Sequence, residues 1–354
     1  MERNNGITLL KCILPIMVII LHFNNSHGGA GLIASSGNPI EHEFLLLLEA
    51  LSIAAVNVFV MISGYFLSFR NKRNLNKILF LFVQLILINL GYYAIRAVIS
   101  GSFSFHGLLL TILPSDYFIW LYSCCYIVSL WINLVIDNVN KKQFEVLLIV
   151  LLLLFSAWPT IADGYTNITG NSLMGMSMIS NTGNDAGYTI VQFVLDYLLG
   201  AYLARYPINN TKKTAVGIAV CSLAVWGLEH ISFSYAIEYC NLFVVLNSFY
   251  ILALFSKLKT NSNTLLEWVS NKTLLLYLFH TKLYFLWRNK FALSASEGTL
   301  TGILHILVLI AVMYFCTLLL ADVFQKVFGY FASWMQRKYP AVLSLNGINR
   351  NQEA

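Results

Sequence analysis

LLIVLLLLF, residues 147–155, is apolar on every side, and that property fixes the fold class. A strand of a membrane barrel alternates an apolar outward face with a polar inward one over about ten residues, which this run does not do. In a bilayer the alternative is the helix, because it satisfies all of its backbone polar groups internally. Similar runs recur along the chain at approximately 7–24, 46–68, 78–99, 117–136, 144–160, 189–205, 214–230, 237–256, 271–289 and 301–323. Each approaches the roughly 20 residues that cross a hydrocarbon core. The expectation is an all-α, polytopic integral membrane protein of about ten transmembrane helices.

Composition agrees. Hydrophobic residues make up 58% of the 354 and charged residues only 11%, against about one quarter charged in a soluble domain. The formal net charge of +6 does not point to nucleic acid, because the basic residues fall in short clusters between apolar segments rather than along one face. The six cysteines lie in or beside apolar segments without ligand spacing, so they read as small packing residues, and no metal site is expected. The first apolar stretch follows Arg3, is long, and lacks a small-residue cleavage site, as expected of a retained helix.

The loops alternate in charge. Glu41 and Glu43, then Asp116, then Asp163 and Asp185, then Glu229 mark one side. Arg70, Lys72, Arg73 and Lys77, then Lys141 and Lys142, then Arg205, Lys212 and Lys213, then Lys257 and Lys259 mark the other. By the positive-inside rule the N-terminus, the C-terminus and the basic loops are cytoplasmic. Arg96, Arg288 and Lys290 then fall near the outer face, as substrate contacts or as snorkelling residues. Of the outer loops, 25–45 and 161–188 are longest. The second is rich in Gly, Asn, Ser and Thr and reads either as an acceptor-facing lid or as a plain connector, and its Asn167-Ile168-Thr169 fits a glycosylation pattern that is common by chance. With no internal repeat and no inverted pair of broken helices, residues 1–325 read as one ten-helix transmembrane domain. Residues 326–354 read as an interfacial cytoplasmic tail mixing aromatic and basic residues.

Ionisable groups inside spans are the functional leads. KCILPIMVIILH, residues 11–22, carries Lys11 and His22 on nearly the same helix face, about three turns and roughly 16 Å apart. That separation is too long for an ion pair and suits the two ends of one long ligand; singly, either residue also fits an interfacial position. A neutral imidazole in apolar surroundings can serve as a general base. After the second span, Arg70 and Arg73 share a face if the helix continues, a fork arrangement suited to phosphate and equally the ordinary basic cluster of an inner loop. Ser63, Gly64 and Tyr65 precede them; the glycine permits close helix approach and the tyrosine needs a polar partner. Asn57, Gln84, Asn89, Asp196 and His280 are further polar residues within spans. His280 fits either an active-site role or a structural interhelical hydrogen bond.

Four stretches together resemble the membrane acyltransferase-3 family, which includes O-acetyltransferases of bacterial polysaccharides: RNNGITLLKCILPIMVIILHF (3–23), VFVMISGYFLSFRNKR (58–73), YLLG (197–200) and SNKTLLLYLFHT (270–281). The resemblance implies a multi-pass protein of the bacterial plasma membrane that moves an acyl group, usually acetyl, from cytoplasmic acetyl-CoA to a hydroxyl of an extracytoplasmic or cell-surface glycan or lipid-linked sugar. It implies that His22 is the essential base. Its Arg-x-x-Arg pair falls on Arg70 and Arg73. Where the family carries arginine eleven residues before the histidine, this chain has Lys11, which keeps the charge and loses the bidentate fork. On this reading Lys11, Arg70, Arg73 and Tyr65 contact the donor, His22 accepts the hydroxyl proton, and His280 and Tyr65 are candidate donors to the oxyanion. The rival class is a polysaccharide or oligosaccharide transporter or polymerase of the same membrane.

Overall fold

The computed structural model describes residues 4–113, 116–171, 187–261, 263–287, 299–338 and 344–346. Each of the ten apolar segments is helical over most of its described residues. The helices are α1 (Asn5–Asn24), α2 (Pro39–Ser52), α3 (Ala55–Leu67), α4 (Asn76–Ser100), α5 (Tyr117–Asn138), α6 (Lys141–Leu152), α7 (Trp158–Thr169), α8 (Ile190–Arg205), α9 (Thr211–Glu229), α10 (Leu242–Lys257), α11 (Thr273–Trp287) and α12 (Thr299–Lys338), with shorter helical turns between them. Among the described residues six helical stretches are long and apolar enough to cross a membrane: Asn5–Asn24, Pro39–Leu67, Asn76–Ser100, Phe105–Asn138, Lys141–Thr169 and Thr299–Phe331. The chain is thus a multi-pass, all-α membrane protein. One antiparallel strand pair departs from this: β1 (Lys72–Asn74) against β2 (Ser344–Asn346), with Arg73 opposite Leu345.

Polar residues at the helix starts explain where the helices begin. Asn4, Asn38, Asp116, Thr189 and Asn210 each accept a hydrogen bond from a backbone N–H of the first turn, and Asn140 forms a reciprocal capping box with Gln143. Such caps are worth about 1 kcal/mol each. The second expected span starts earlier than its apolar run, at Pro39, and is interrupted by a turn at Ile53 and Ala54. The outer loop expected over 161–188 is helical through Thr169, beyond a π-helical turn at Leu153–Ala157; its residues 172–186, including Asp185, lie outside the described residues, as do Arg288 and Lys290. Helix α12 runs unbroken past residue 325 to Lys338.

Small residues set the packing. Helices α3 and α8 cross in backbone contact: a Cβ on Gly64 would lie 2.0 Å from the Tyr197 carbonyl oxygen, and one on Gly200 would lie 1.9 Å from that of Met61. Close approach of this kind is what drives association where lipid removes the hydrophobic gain between helices. Helix α1 sits at the centre, touching α2, α3, α10, α11 and α12. Its interior Pro15 lacks an N–H, so the Lys11 carbonyl loses its helical partner. The Thr273 hydroxyl supplies the missing bond at 2.9 Å, fastening the start of α11 to the middle of α1. Helix α4, by contrast, buries only Leu81, Leu85 and Ile88 and presents the rest of its apolar surface outward.

Candidate functional site

The tie between Thr273 and Lys11 sets the level of α11 against α1, and it brings two histidines distant in sequence together. The rings of His22, in the last turn of α1, and His280, in α11, have centroids 4.7 Å apart. Tyr284 lies 6.3 Å from each and donates its hydroxyl to the Ile19 carbonyl. The end of α1 is held from the other side. Asn24 donates to Glu49 Oε2 at 2.7 Å and to the Leu45 carbonyl at 3.1 Å on α2. Gly29 N–H donates to the His22 carbonyl at 2.9 Å, and Gly28 packs so tightly there that a Cβ would lie 1.9 Å from that oxygen.

His280 is 2% exposed, and its Nδ1 bonds to the Tyr277 carbonyl. A carbonyl only accepts, so the proton is on Nδ1 and the lone pair of the neutral ring is on Nε2. That Nε2 is buried and has no hydrogen-bond partner among the described residues. A neutral His280 therefore presents an acceptor, whereas donation from Nε2 to an oxyanion requires the imidazolium.

Both histidines open on a cavity of about 220 Å³ that also receives Glu49, Asp116, Tyr117, Tyr188, Tyr239 and Tyr277. The tyrosines form a chain of ring contacts, Tyr117 to Tyr188 at 4.2 Å and Tyr188 to Tyr239 at 4.6 Å. Tyr277 donates to Asp116, which also caps α5. The sequence did not single out Tyr277, Asp116 or Glu49 as site residues. A second cavity of about 250 Å³ lies toward the other end of α1, lined by Lys11, Ser63, Phe118, Tyr122 and again Tyr277. Tyr277 thus belongs to both walls, with the Phe118 ring 5.0 Å from its own. Lys11 places its ammonium 5.4 Å from the Phe66 ring centroid.

The other expected donor contacts separate. Helix α3 ends at Leu67 and Lys72–Asn74 is strand, so the condition for Arg70 and Arg73 to share a helical face is not met. Arg70 is exposed. Arg73 is 0% exposed, and its guanidinium donates to the carbonyls of Tyr126, Arg70, Lys72 and Leu67, to Ser129 Oγ and to the Tyr197 hydroxyl. In this conformation it has no fork left for a phosphate, and it instead ties the 67–73 connection to α5 and α8. Tyr65 is buried beside Phe66, ring to ring at 5.2 Å, and lines neither cavity. Asp196 receives Gln192 Nε2 at 3.3 Å, while Arg205 pairs with Asp137 at 2.9 Å.

A family model described as an acyltransferase domain matches residues 4–322. Comparison with curated proteins and with solved structures gives no match.

Proposed function

Since this chain belongs to the membrane acyltransferase-3 family, we propose that it transfers an acyl group, acetyl in the first instance, from cytoplasmic acyl-CoA to a hydroxyl of an extracytoplasmic glycan. The observation that supports this most is the pair of cavities meeting at Tyr277, one holding Lys11 and the other the His22–His280 pair. An extended thioester arm suits that arrangement, with the anionic end of the donor near Lys11 and the exposed Arg70 and the acyl carbon near His22. In this reading all ten apolar helices cross the bilayer, both termini are cytoplasmic, and residues 326–354 form an interfacial tail. Arg73 contributes by holding the connection from which Arg70 projects, and Tyr65 by packing.

The chemistry follows from the groups present. A sugar hydroxyl is a weak nucleophile at neutral pH until a base takes its proton. His22 accepts that proton as the oxygen attacks the thioester carbonyl, the carbon–sulfur bond breaks, an ester forms, and the proton passes from His22 to the departing thiolate. His280, with its lone pair on Nε2, accepts a hydrogen bond from the second nitrogen of His22 or from the sugar, orienting one of them. The carbonyl oxygen gains charge during attack, and the hydroxyls of Tyr117 and Tyr239, which line the same cavity, are the nearby donors for it. The tyrosine rings offer flat apolar faces to a sugar ring.

The test is the O-acyl content of the surface glycan, by NMR, in a deletion strain complemented with wild type or with His22→Ala, both shown to reach the membrane. Wild type should restore an ester signal and His22→Ala should not. Equal restoration by both would remove His22 from the mechanism. A change in glycan amount or chain length without any ester would favour a transporter or polymerase.

A further inference from the structure

A third cavity, of about 330 Å³, opens between α4, α11 and α12. It is lined by Leu87, Ile88, Ile95, Leu283, Leu320 and Phe324, so its floor is hydrocarbon, and it runs along helices whose outward surface is apolar. Two cations stand in its wall. Arg96 and Lys282 both line it, and both converge on the Tyr92 ring, at 6.0 Å and 5.4 Å from its centroid. An apolar trough with two cations converging on one ring in its wall matches a hydrocarbon chain that carries a phosphate, since guanidinium and ammonium groups between spans recognise phosphate headgroups.

This trough adjoins the reaction cavity. Neighbouring residues of α11 face the two spaces, with Phe279, Lys282 and Leu283 on the trough and Tyr277, His280 and Thr281 on the cavity of His22. The Lys282 ammonium is electrostatically coupled to Asp116, which lines that cavity. A phosphate held at Lys282 would therefore sit beside the entrance to the histidine pair, with a chain lying one way and a sugar the other.

We propose that the acceptor is presented as a glycolipid in which phosphate joins the sugar to a hydrocarbon chain, the chain lying in the α4–α11–α12 trough, the phosphate on Arg96 and Lys282, and the sugar reaching His22. The inference rests on the acyltransferase reading above. A free polysaccharide chain would have no use for an apolar trough that carries two cations and adjoins the histidine cavity, and an ordinary membrane phospholipid would have no reason to be seated at the reaction cavity.

Gly91 gives the test, because it lines the trough and a Cβ there meets nothing within 4 Å. Gly91→Leu fills the space on a helix that leucine favours, so folding is retained. Purified protein in nanodiscs is supplied with labelled acetyl-CoA and either a polyprenyl-phosphoryl hexose or the same hexose as a methyl glycoside. The ratio of kcat/KM for the lipid-linked to the lipid-free acceptor should exceed one hundred in wild type and fall at least tenfold in Gly91→Leu and in Arg96→Gln. An unchanged ratio in both variants overturns the proposal. Native mass spectrometry provides a readout independent of transfer: the polyprenyl-phosphoryl hexose should bind wild type, resist competition by phosphatidylglycerol, and be lost in Gly91→Leu. Equal binding of phosphatidylglycerol would make the trough an ordinary lipid site and refute the assignment. Absence of transfer to both acceptors would sink the acyltransferase reading, while the binding measurement would still decide what the trough holds.

Discussion

Arg73→Lys separates a structural arginine from a phosphate-binding one, because it keeps the charge and removes the fork. The guanidinium reaches six acceptors: four backbone carbonyls, Ser129 Oγ and the Tyr197 hydroxyl. A lysine ammonium has three donors at one point, so at least three of those contacts go unmade. At about 1 kcal/mol net for each, the loss is about 3 kcal/mol. Neighbours prevent a larger effect. Asn133 Nδ2 still donates to the Leu67 and Arg70 carbonyls, and Ser129 still donates to that of Tyr126, so those oxygens stay satisfied. The assay is thermal unfolding in nanodiscs with a thiol-reactive fluorogenic dye, which reports exposure of the buried cysteines Cys125, Cys221 and Cys240. Arg73→Lys should lower the midpoint by on the order of 6 °C with little change in the KM for acyl-CoA. Arg70→Ala, at an exposed side chain, should leave the midpoint within about a degree and raise that KM roughly tenfold, the loss of about 1.4 kcal/mol of phosphate contact. If Arg73→Lys keeps its midpoint and raises the KM instead, the buried network is not what Arg73 is for.

Three further outcomes follow from the packing and charge. Thr273→Val leaves the Lys11 carbonyl without the donor that Pro15 denies it; stability should fall by about 1–2 kcal/mol, and kcat should fall while the KM for donor stays near wild type, because His280 loses its register against His22. Gly200→Val forces a side chain where a Cβ already meets the Met61 carbonyl at 1.9 Å, and it should abolish folded protein on size-exclusion chromatography where the exposed Gly227→Ala, with nothing near its Cβ, does not. At the surface, the Trp226 carbonyl and Glu43 favour the protonated form of His230 and raise its pKa. The pair's contribution is therefore complete below the ordinary histidine value and lost as pH rises through the raised one. For an exposed pair it is on the order of 0.5 kcal/mol, so the wild-type midpoint should drop slightly across that window and the His230→Gln midpoint should not.

Much of the architecture was legible because the bilayer imposes it. Over most of their described residues the ten apolar runs are helical, and residues such as Asn38, Asp116, Asn140 and Asn210 mark helix starts by a chemistry that acts locally. Gly64 read correctly as a point of close approach, since only a missing side chain admits the Tyr197 backbone. His22 and His280 were each conspicuous as polar groups that lipid does not tolerate, yet their pairing depends on tertiary register set by Pro15 and Thr273, which no local pattern carries. The spacing of Arg70 and Arg73 misled for a related reason. It implies a shared face only on a helix, and the backbone there turns into a strand, sending one guanidinium outward and the other into the protein. Tyr277 and Glu49 were not separable from other residues of apolar segments, because a tyrosine or glutamate within a span gains meaning only from what it faces.

On the proposed mechanism an acyl group passes between the two ends of α1, from a donor at the Lys11 side to an acceptor at His22. Proteoliposomes of known protein orientation test it directly, with labelled acetyl-CoA on one face and a sugar acceptor on the other. Labelled ester should form only when the donor is on the face of Arg70 and the acceptor on the face of His22, and it should vanish in His22→Ala. Ester formed with both reactants confined to one face, or formed equally by His22→Ala, would contradict transfer across the bilayer at this histidine.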